Sequence, residues 1–316
     1  MKICLVGEGA FANKHIDAIA RIEDVEVAVI CGGVAETTEA VANARGIPFY
    51  TTDLAEALNQ PGVDAVILAT PTGLHATQAI QVMRSGKHVL IEIPMADNLA
   101  DAQKIVEVQQ ETGLVAMVDH VRRFNPSHQW IHNKIKSGEL QLQQLDVQTY
   151  FFRRENINVL GQPRSWTDHL LWHHACHTVD LFQYQTGGPA AQAFAMQGPN
   201  HPDMGIAMDM CIGMKASTGA ICTLSLSFNN KGPLGTYFRY ICDNGTYIAR
   251  YDDLFDGNDN PIDLSQVDVA MDGVELADRE FFAAIAQGRE PNSSVQQCLE
   301  AMKTLDRLEQ SMISQA

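Results

Sequence analysis

Lys2-Ile3-Cys4-Leu5-Val6 is a continuous apolar run, the pattern of a strand buried on both faces of a parallel sheet, and it enters Gly7-Glu8-Gly9-Ala10-Phe11-Ala12. From there apolar runs and helical periodicity alternate. The pattern predicts a helix from Phe11 to about Ile22, strands at Val25 to Ile30, Phe49-Tyr50, Asp64 to Ala69, Lys87 to Ile91 and Leu114 to Val118, and helices near 53–59, 74–85 and 98–112. Asp53 and Asn98 stand where N-caps belong, and Gly86 and Gly113 where helices should stop. Alternation of strand and helix means a doubly wound parallel sheet, the Rossmann type, over residues 1–120.

The pattern changes in the remainder, residues 121–316. Val121 to Pro126 links two domains, and Pro126 opens a helix reaching about Lys136 before Gly138. A half-exposed strand is expected at Leu145 to Phe152, then a helix across Trp166 to Asp180. Further strands follow at 191–197, 208–215, 220–229, 236–243 and 247–251, with hairpin-type turns at Asn229-Asn230-Lys231-Gly232 and Asp243-Asn244-Gly245. The loop 252–263 reads as a solvated excursion, since its acids lack the spacing of a calcium loop. Amphipathic helices at about Gly273 to Gln287 and Ser294 to Ser314 close the chain and can pack back on the first domain. The fold class is therefore α/β, a Rossmann domain plus a second α/β domain with a largely antiparallel sheet.

Composition narrows the partners. Of 316 residues, 22 are Lys or Arg and 38 Asp or Glu, a net charge of −16, which argues against nucleic acid and against an anionic membrane. A small anionic substrate would need a local basic pocket. Seven cysteines, several inside apolar runs and none in a CxxC pair, fit a reduced, cytoplasmic setting, and the N-terminus does not read as a signal peptide.

Gly7-Glu8-Gly9-Ala10-Phe11-Ala12 is a GxGxxA turn between strand and helix. Gly7 allows the turn, Gly9 lets backbone approach a pyrophosphate with Ala10 and Phe11, and the helix start offers its amides. At the end of the second strand, where an acid would hold the ribose of NAD, stand Cys31, Gly32 and Gly33. With no carboxylate expected there, NADP is favoured over NAD, with Thr37, Thr38 and backbone amides left to hold a 2′-phosphate. Thr70, Pro71, Thr72 and His75, and Glu92-Ile93-Pro94, fall at later strand ends, where ligands bind in such sheets.

Four of eleven histidines crowd Trp166 to Asp180. At helical spacing His169, His173 and His177 form one stripe with Asp180 beyond, a platform for proton transfer, with His174 beside it. His173 and His177 also have metal-ligand spacing, but His174 replaces the glutamate of HExxH and no third ligand is evident, so no metal is expected. Arg153, Arg154 and Arg164, with Arg122 and Arg123 earlier, are candidates for clamping carboxylates, and Trp166 could face a flat ring.

Together Gly7 to Ala12, Ala69-Thr70-Pro71 with His75, Glu92-Ile93-Pro94, Arg122-Arg123-Phe124-Asn125-Pro126 and His177 with Asp180 resemble the Gfo/Idh/MocA oxidoreductases. The resemblance implies a nicotinamide cofactor, hydride chemistry on a CH–OH group, and a second domain whose open sheet covers the site and often mediates homo-oligomerisation. It also implies cofactor contacts at Thr70 to Thr72, His75, Glu92 and Ile93, and a base at His177. Two positions depart from the family: Ile93 stands where a lysine is usual, and His173 where an acid is usual. A narrower resemblance, in GLVAMVDHVRRFNPSHQWIHNKIKSGEL, PRSWTDHLLWHHACHTVDLF and GPLGTYFRYICDNGTYIARYDDL, is to members that oxidise the hemiacetal of a dicarboxylated ring-fission semialdehyde with NADP in protocatechuate 4,5-cleavage. With Ile93 where lysine would stand, a histidine is expected to carry the base role: His177, at the family histidine's position, with His173 or His174 as proton relay or hydrogen bond to a substrate oxygen and Asp180 orienting an imidazole. Sugar-acid or cyclitol oxidation and a non-catalytic NADP(H) sensor are the alternatives.

Overall fold

The computed structural model describes residues 1–157, 163–164, 166–268 and 273–313; Ser165 and Ser314, which fell within expected segments, lie outside them. Two compact units emerge. One comprises Met1–Val121 with Val274–Leu299, the other Arg122–Gly273 with Glu300–Ala316.

In the first unit the chain runs β1 (Lys2–Val6), α1 (Ala10–Ile19), β2 (Glu26–Cys31), α2 (Ala35–Arg45), β3 (Phe49–Thr51), α3 (Leu54–Leu58), β4 (Val63–Leu68), α4 (His75–Arg84), β5 (His88–Ile91), α5 (Leu99–Thr112) and β6 (Ala116–Val118). Among the described residues the sheet order is β3-β2-β1-β4-β5-β6, every pair parallel, so the winding reverses beside β1 where the glycine turn lies. Ile3, Cys4 and Leu5 of β1 and Ala65 to Leu68 of β4 are fully buried, as their unbroken apolar runs require. Asp53 caps α3 by accepting from Ala55 N and Glu56 N, and Asn98 caps α5 through Asp101 N. Helix α2 was not expected from the pattern. Only Thr38 and Ala42 of its eleven residues are buried, too thin a stripe to show as periodicity.

The second unit contains α6 (Pro126–Lys136), β7 (Leu142–Tyr150), a π-helical segment (Leu170–Ala175), α7 (Cys176–Thr186), β8 (Ala190–Gln197), β9 (Asp209–Ala216), β10 (Ile221–Ser227), β11 (Gly235–Cys242), β12 (Gly245–Arg250) and β13 (Asp253–Asp256). The closing helices are α8 (Gly273–Gln287) and α9 (Val295–Ile313). Among the described residues the order of the seven-stranded sheet is β13-β12-β11-β7-β10-β9-β8; β7 and β10 are parallel and the other pairs antiparallel. Two expectations are corrected by this topology. Asn229 to Gly232 is not a hairpin turn, because β7 lies between β10 and β11, so this connection passes from one side of β7 to the other. The loop 252–263 is not all solvated: β13 pairs with β12, and Leu254, 2% exposed opposite Ala249, anchors it. One of its acids serves the following turn, where Asp256 accepts from Asn258 N and Asn260 N. Asp243-Asn244 does form a tight hairpin, pairing Cys242 with Gly245.

A charged cluster sits in the first unit's core. His15 of α1, wholly buried, directs Nδ1 to both oxygens of Asp278 on α8 at 2.9 and 3.1 Å, and Nε2 to Glu92 Oε1 at 3.3 Å, with Asp119 Oδ2 at 3.8 Å. Carboxylates only accept, so both ring nitrogens carry hydrogen and the ring is an imidazolium. Burial pulls its pKa down, but Asp278, Glu92 and Asp119 together hold it well above the ordinary histidine value.

Leu254→Ala should destabilise the second unit by ~2–5 kcal/mol in denaturant unfolding, the cost of truncating a buried leucine; a loss under about 0.5 kcal/mol would return β13 to the surface. For His15→Gln the stability lost relative to wild type should be greatest below the ordinary histidine pKa. It should shrink as pH rises through the raised folded value, because only the protonated ring stabilises the fold. Urea melts from about pH 6 to 9 test this, and a gap that widens with pH would contradict it.

Candidate active site

The glycine turn of the first unit has the form a pyrophosphate requires. Gly7, at φ +116°, donates to Cys31 O at 2.8 Å, and a Cβ there would strike Ala69 O. Gly9 is the N-cap of α1 and provides no side-chain cap, no acid occupies the first turn, and Ala10 and Phe11 are exposed, so the leading amides of α1 are available to an anion. Ala12 is fully buried and lets α1 approach the sheet. These residues fit a dinucleotide.

Around the turn, several expected cofactor residues do structural work. Thr70 Oγ1 donates to Gln78 at 2.7 Å, Pro71 is half-buried, and Thr72 is buried where a short 3₁₀ turn begins. His75, expected at the cofactor, is 1% exposed, with Nδ1 2.8 Å from Pro94 O and Nε2 2.9 Å from Thr70 O. It lies between two carbonyls at strand ends, and as a neutral ring donates to one of them. Glu92 is held by His15, its other oxygen accepting from Ile93 N at 3.1 Å, and the Ile93-Pro94 bond is cis. Cys31 is buried, so it can contribute backbone only. The turn after β2 also departs from expectation, for a carboxylate does stand there. Glu8 reaches from the glycine turn to accept from Gly33 N at 3.0 and 3.1 Å and Val34 N at 3.3 Å, it lies 3.3 Å from Thr37 Oγ1, whose hydrogen also has Val34 O at 3.0 Å, and it borders Gly32.

In the second unit the expected histidine helix is not uniform. His169 is extended and caps the π segment by accepting from Leu171 N at 3.1 Å, and α-helical geometry begins only at Cys176. A wider turn breaks the spacing that would align His169, His173 and His177. His173 Nδ1 accepts from His169 N at 2.8 Å, so His169 and His173 each spend Nδ1 as an acceptor from backbone and present Nε2 as the position for hydrogen. His177 lies in the first turn of α7, half-buried.

Asp168 gathers the basic groups. Its carboxylate receives both terminal nitrogens of Arg153, one of them at 2.8 Å, Arg164 Nη1 at 3.1 Å, and His174 Nε2 at 3.1 Å. Burial, reinforced by Arg153 and Arg164, lowers the His174 pKa to about 3, so its ring is neutral at physiological pH. Two guanidiniums therefore share one carboxylate, leaving one positive charge in surplus. Burial, with Arg164 adding, lowers the Arg153 pKa to about 10. Aromatic rings frame the group: Phe228 lies 4.7 Å from the Arg153 guanidinium and edge-on to His174 at 5.1 Å, Phe151 lies 5.4 Å from His174, and Trp166 lies between Arg164 and His173.

The other arginines are placed elsewhere. Arg154 turns to the carbonyls of Arg153 and Phe228 and to the Phe152 ring, apart from Asp168. Arg122 lies over Phe238 and Tyr251 and donates to Asn125. Arg123 is buried and binds Asp180 through two hydrogen bonds of 2.8 and 2.6 Å. Asp180, expected to orient an imidazole, thus takes a guanidinium on both oxygens. Sequence reasoning missed Asp168, Glu8, and His15 with Asp119 and Asp278. Glu8 had a readable signal, an acid in the variable position of the GxGxxA turn; Asp168 had none, since nothing in its spacing from Arg153 marks a partner.

Residues 1–120 match the oxidoreductase family with the NAD-binding Rossmann fold, and residues 126–268 match the C-terminal domain of bacterial oxidoreductases. The chain is 62% identical, over 98% of its length and 98% of the relative's, to the 4-carboxy-2-hydroxymuconate-6-semialdehyde dehydrogenase of Sphingobium sp. (strain NBRC 103272 / SYK-6). It is 28% identical to the scyllo-inositol 2-dehydrogenase (NAD(+)) of Bacillus subtilis (strain 168), over 44% of this chain and 41% of that protein. An oxidoreductase from Agrobacterium radiobacter, solved in complex with NAD+, L-tartaric acid and magnesium, shares the fold with a TM-score of 0.86 at 18% identity, over 100% of this chain and 97% of that one. Glycine turn, parallel sheet, second sheet and these similarities agree: the chain belongs to the Gfo/Idh/MocA family of NAD(P)-dependent oxidoreductases.

Proposed function

We propose that the protein oxidises the cyclic hemiacetal of 4-carboxy-2-hydroxymuconate-6-semialdehyde to 2-pyrone-4,6-dicarboxylate, a step in protocatechuate 4,5-cleavage. The observation that carries this reading is the surplus positive charge of Arg153 and Arg164 on Asp168, framed by Phe151, Phe228 and Trp166, in a chain of net charge −16. A dicarboxylated flat ring has the complementary chemistry, carboxylates for the guanidiniums and a π-face for the rings. The extensive similarity to the Sphingobium dehydrogenase supports the same substrate.

The enol hydroxyl of the semialdehyde closes on its aldehyde, so the carbinol carbon of the six-membered hemiacetal bears both the hydrogen lost as hydride and the hydroxyl that loses a proton. Their removal leaves a lactone directly, and no covalent thiohemiacetal is needed. A nicotinamide dinucleotide held by the glycine turn at Gly7, Gly9 and the start of α1 would supply the hydride acceptor. With Ile93 in place of the usual lysine, the proton falls to a histidine. His177 takes it as general base. His173, with its Nδ1 committed to His169 N, donates from Nε2 to a substrate oxygen, and neutral His174 is too weak a base to compete. The Arg123–Asp180 pair fixes α7, which carries His177. An NADP preference, expected from Cys31, has to contend with the Glu8 carboxylate on Gly33, Val34 and Thr37. Homo-oligomers would form through the second sheet, where Phe194 and Met196 are 56% and 57% exposed.

The test is reduced-nicotinamide absorbance with freshly generated semialdehyde, set against sugar acids and cyclitols. Turnover of the polyols alone would establish the second reading, and cofactor binding with no turnover would establish a sensor. His177→Ala should lower kcat by ~10²-fold or more, as loss of a general base does; a change confined to KM would remove it from that role. Arg153→Ala and Arg164→Ala should each raise KM by roughly 10- to 100-fold, the size of a charged hydrogen bond lost. An unchanged KM would place the carboxylate elsewhere.

A further inference from the structure

We infer that Glu8, inside the glycine turn, is the residue that selects between the two nicotinamide dinucleotides, and that it selects NAD. This rests on the dinucleotide-binding reading of the first unit and is independent of the substrate.

Selection between NAD and NADP is decided at the adenosine ribose, next to the end of β2. An acid there accepts from the ribose hydroxyls of NAD, and a cation or free amides there hold the 2′-phosphate of NADP. In this chain the end of β2 offers neither an acid nor a base of its own, only Cys31, Gly32 and Gly33. The donors following it are Gly33 N, Val34 N and Thr37 Oγ1, the last two at the start of α2. Gly33 N, shared between the two oxygens, and Val34 N already donate to Glu8, while the single hydroxyl hydrogen of Thr37 lies between Val34 O at 3.0 Å and Glu8 Oε1 at 3.3 Å. Thr38 is committed too, its hydroxyl donating to Val34 O at 2.6 Å.

The carboxylate thus occupies the very donors that a 2′-phosphate would need. A phosphate arriving there must evict Glu8 from the two backbone amides and then lie beside an unpaired carboxylate of like charge. The ribose of NAD meets no such conflict, because a carboxylate pinned by backbone amides keeps lone pairs for two hydroxyl donors. The surroundings reinforce the sign. Burial first, then Asp53, Glu8 and Glu56, push the Cys31 thiol up to about 11, which marks a turn ringed by carboxylates. Gly32 fits the same arrangement. A Cβ there would collide with Thr38 Oγ1 and approach Glu8 Oε2 to 2.7 Å, so any larger residue would dislodge the carboxylate.

The experiment is equilibrium titration of the full chain with NADH and with NADPH, followed by nicotinamide fluorescence, for wild type, Glu8→Gln and Glu8→Ala. Wild type is expected to bind NADH at least ~10-fold tighter than NADPH, on the scale of a single hydrogen bond to a charged group. Glu8→Ala should tighten NADPH by a similar factor while weakening NADH. Glu8→Gln, which keeps the shape and removes the charge, should fall between, and NADPH binding to both variants should weaken steeply with salt. Wild type that favours NADPH, or a preference that neither substitution moves, overturns the assignment of Glu8 while leaving the dinucleotide site intact. Failure of wild type to bind either dinucleotide overturns both the assignment and the cofactor reading beneath it.

Discussion

Much of the second unit's chemistry depends on one carboxylate. Asp168 accepts from Arg153 beyond the end of β7, from Arg164, and from His174 in the π segment, so three stretches of chain are held to one point. One negative charge cannot neutralise two guanidiniums, and the remainder is available to an anion. The same hydrogen bond sets the His174 tautomer, with hydrogen on Nε2, while the two cations and burial keep the ring neutral. In the proposed reaction such a cluster would attract carboxylates without filling itself with charged histidines, and proton transfer would fall to rings farther along the segment.

The first unit solves a different electrostatic problem, since its ligand is anionic and the chain is strongly acidic. Its anion-binding surface is backbone, the amides at the start of α1, rather than lysine or arginine. Its acids are directed instead: Glu92, Asp119 and Asp278 converge on the buried imidazolium of His15, and Glu8 on the amides after β2. Each of these carboxylates is thereby given a partner, and Glu8 is turned from the glycine turn toward the amides after β2.

How far the sequence reveals this depends on range. The parallel sheet was legible because β1 and β4 are apolar runs buried on both faces, and the α3 and α5 boundaries because Asp53 and Asn98 act within their own helices. Helix α2 was hidden by its nearly all-exposed surface, and β13 by the acids around Leu254. The hairpin expected at Asn229 failed for a topological reason, since local turn chemistry carries no information about β7 inserting between its flanking strands. At the site, the histidine cluster and the arginines were visible as residue types, but their pairing was not. Asp168 joins Arg153 across fifteen positions and Asp180 joins Arg123 across fifty-seven, distances over which no periodicity reports. The helical stripe was misjudged because a π segment changes the period where the histidines lie.

The central claim is that the reaction is oxidation of a hemiacetal at a carboxylate-binding site, with histidine rather than lysine or cysteine taking the proton. Identifying the product of a single turnover by NMR and mass spectrometry tests it most directly. The account predicts one reduced nicotinamide for each 2-pyrone-4,6-dicarboxylate, formed as the lactone without an open-chain precursor. An open-chain tricarboxylate appearing first, heavier by one water, would show that the hydrated aldehyde is oxidised and would contradict it.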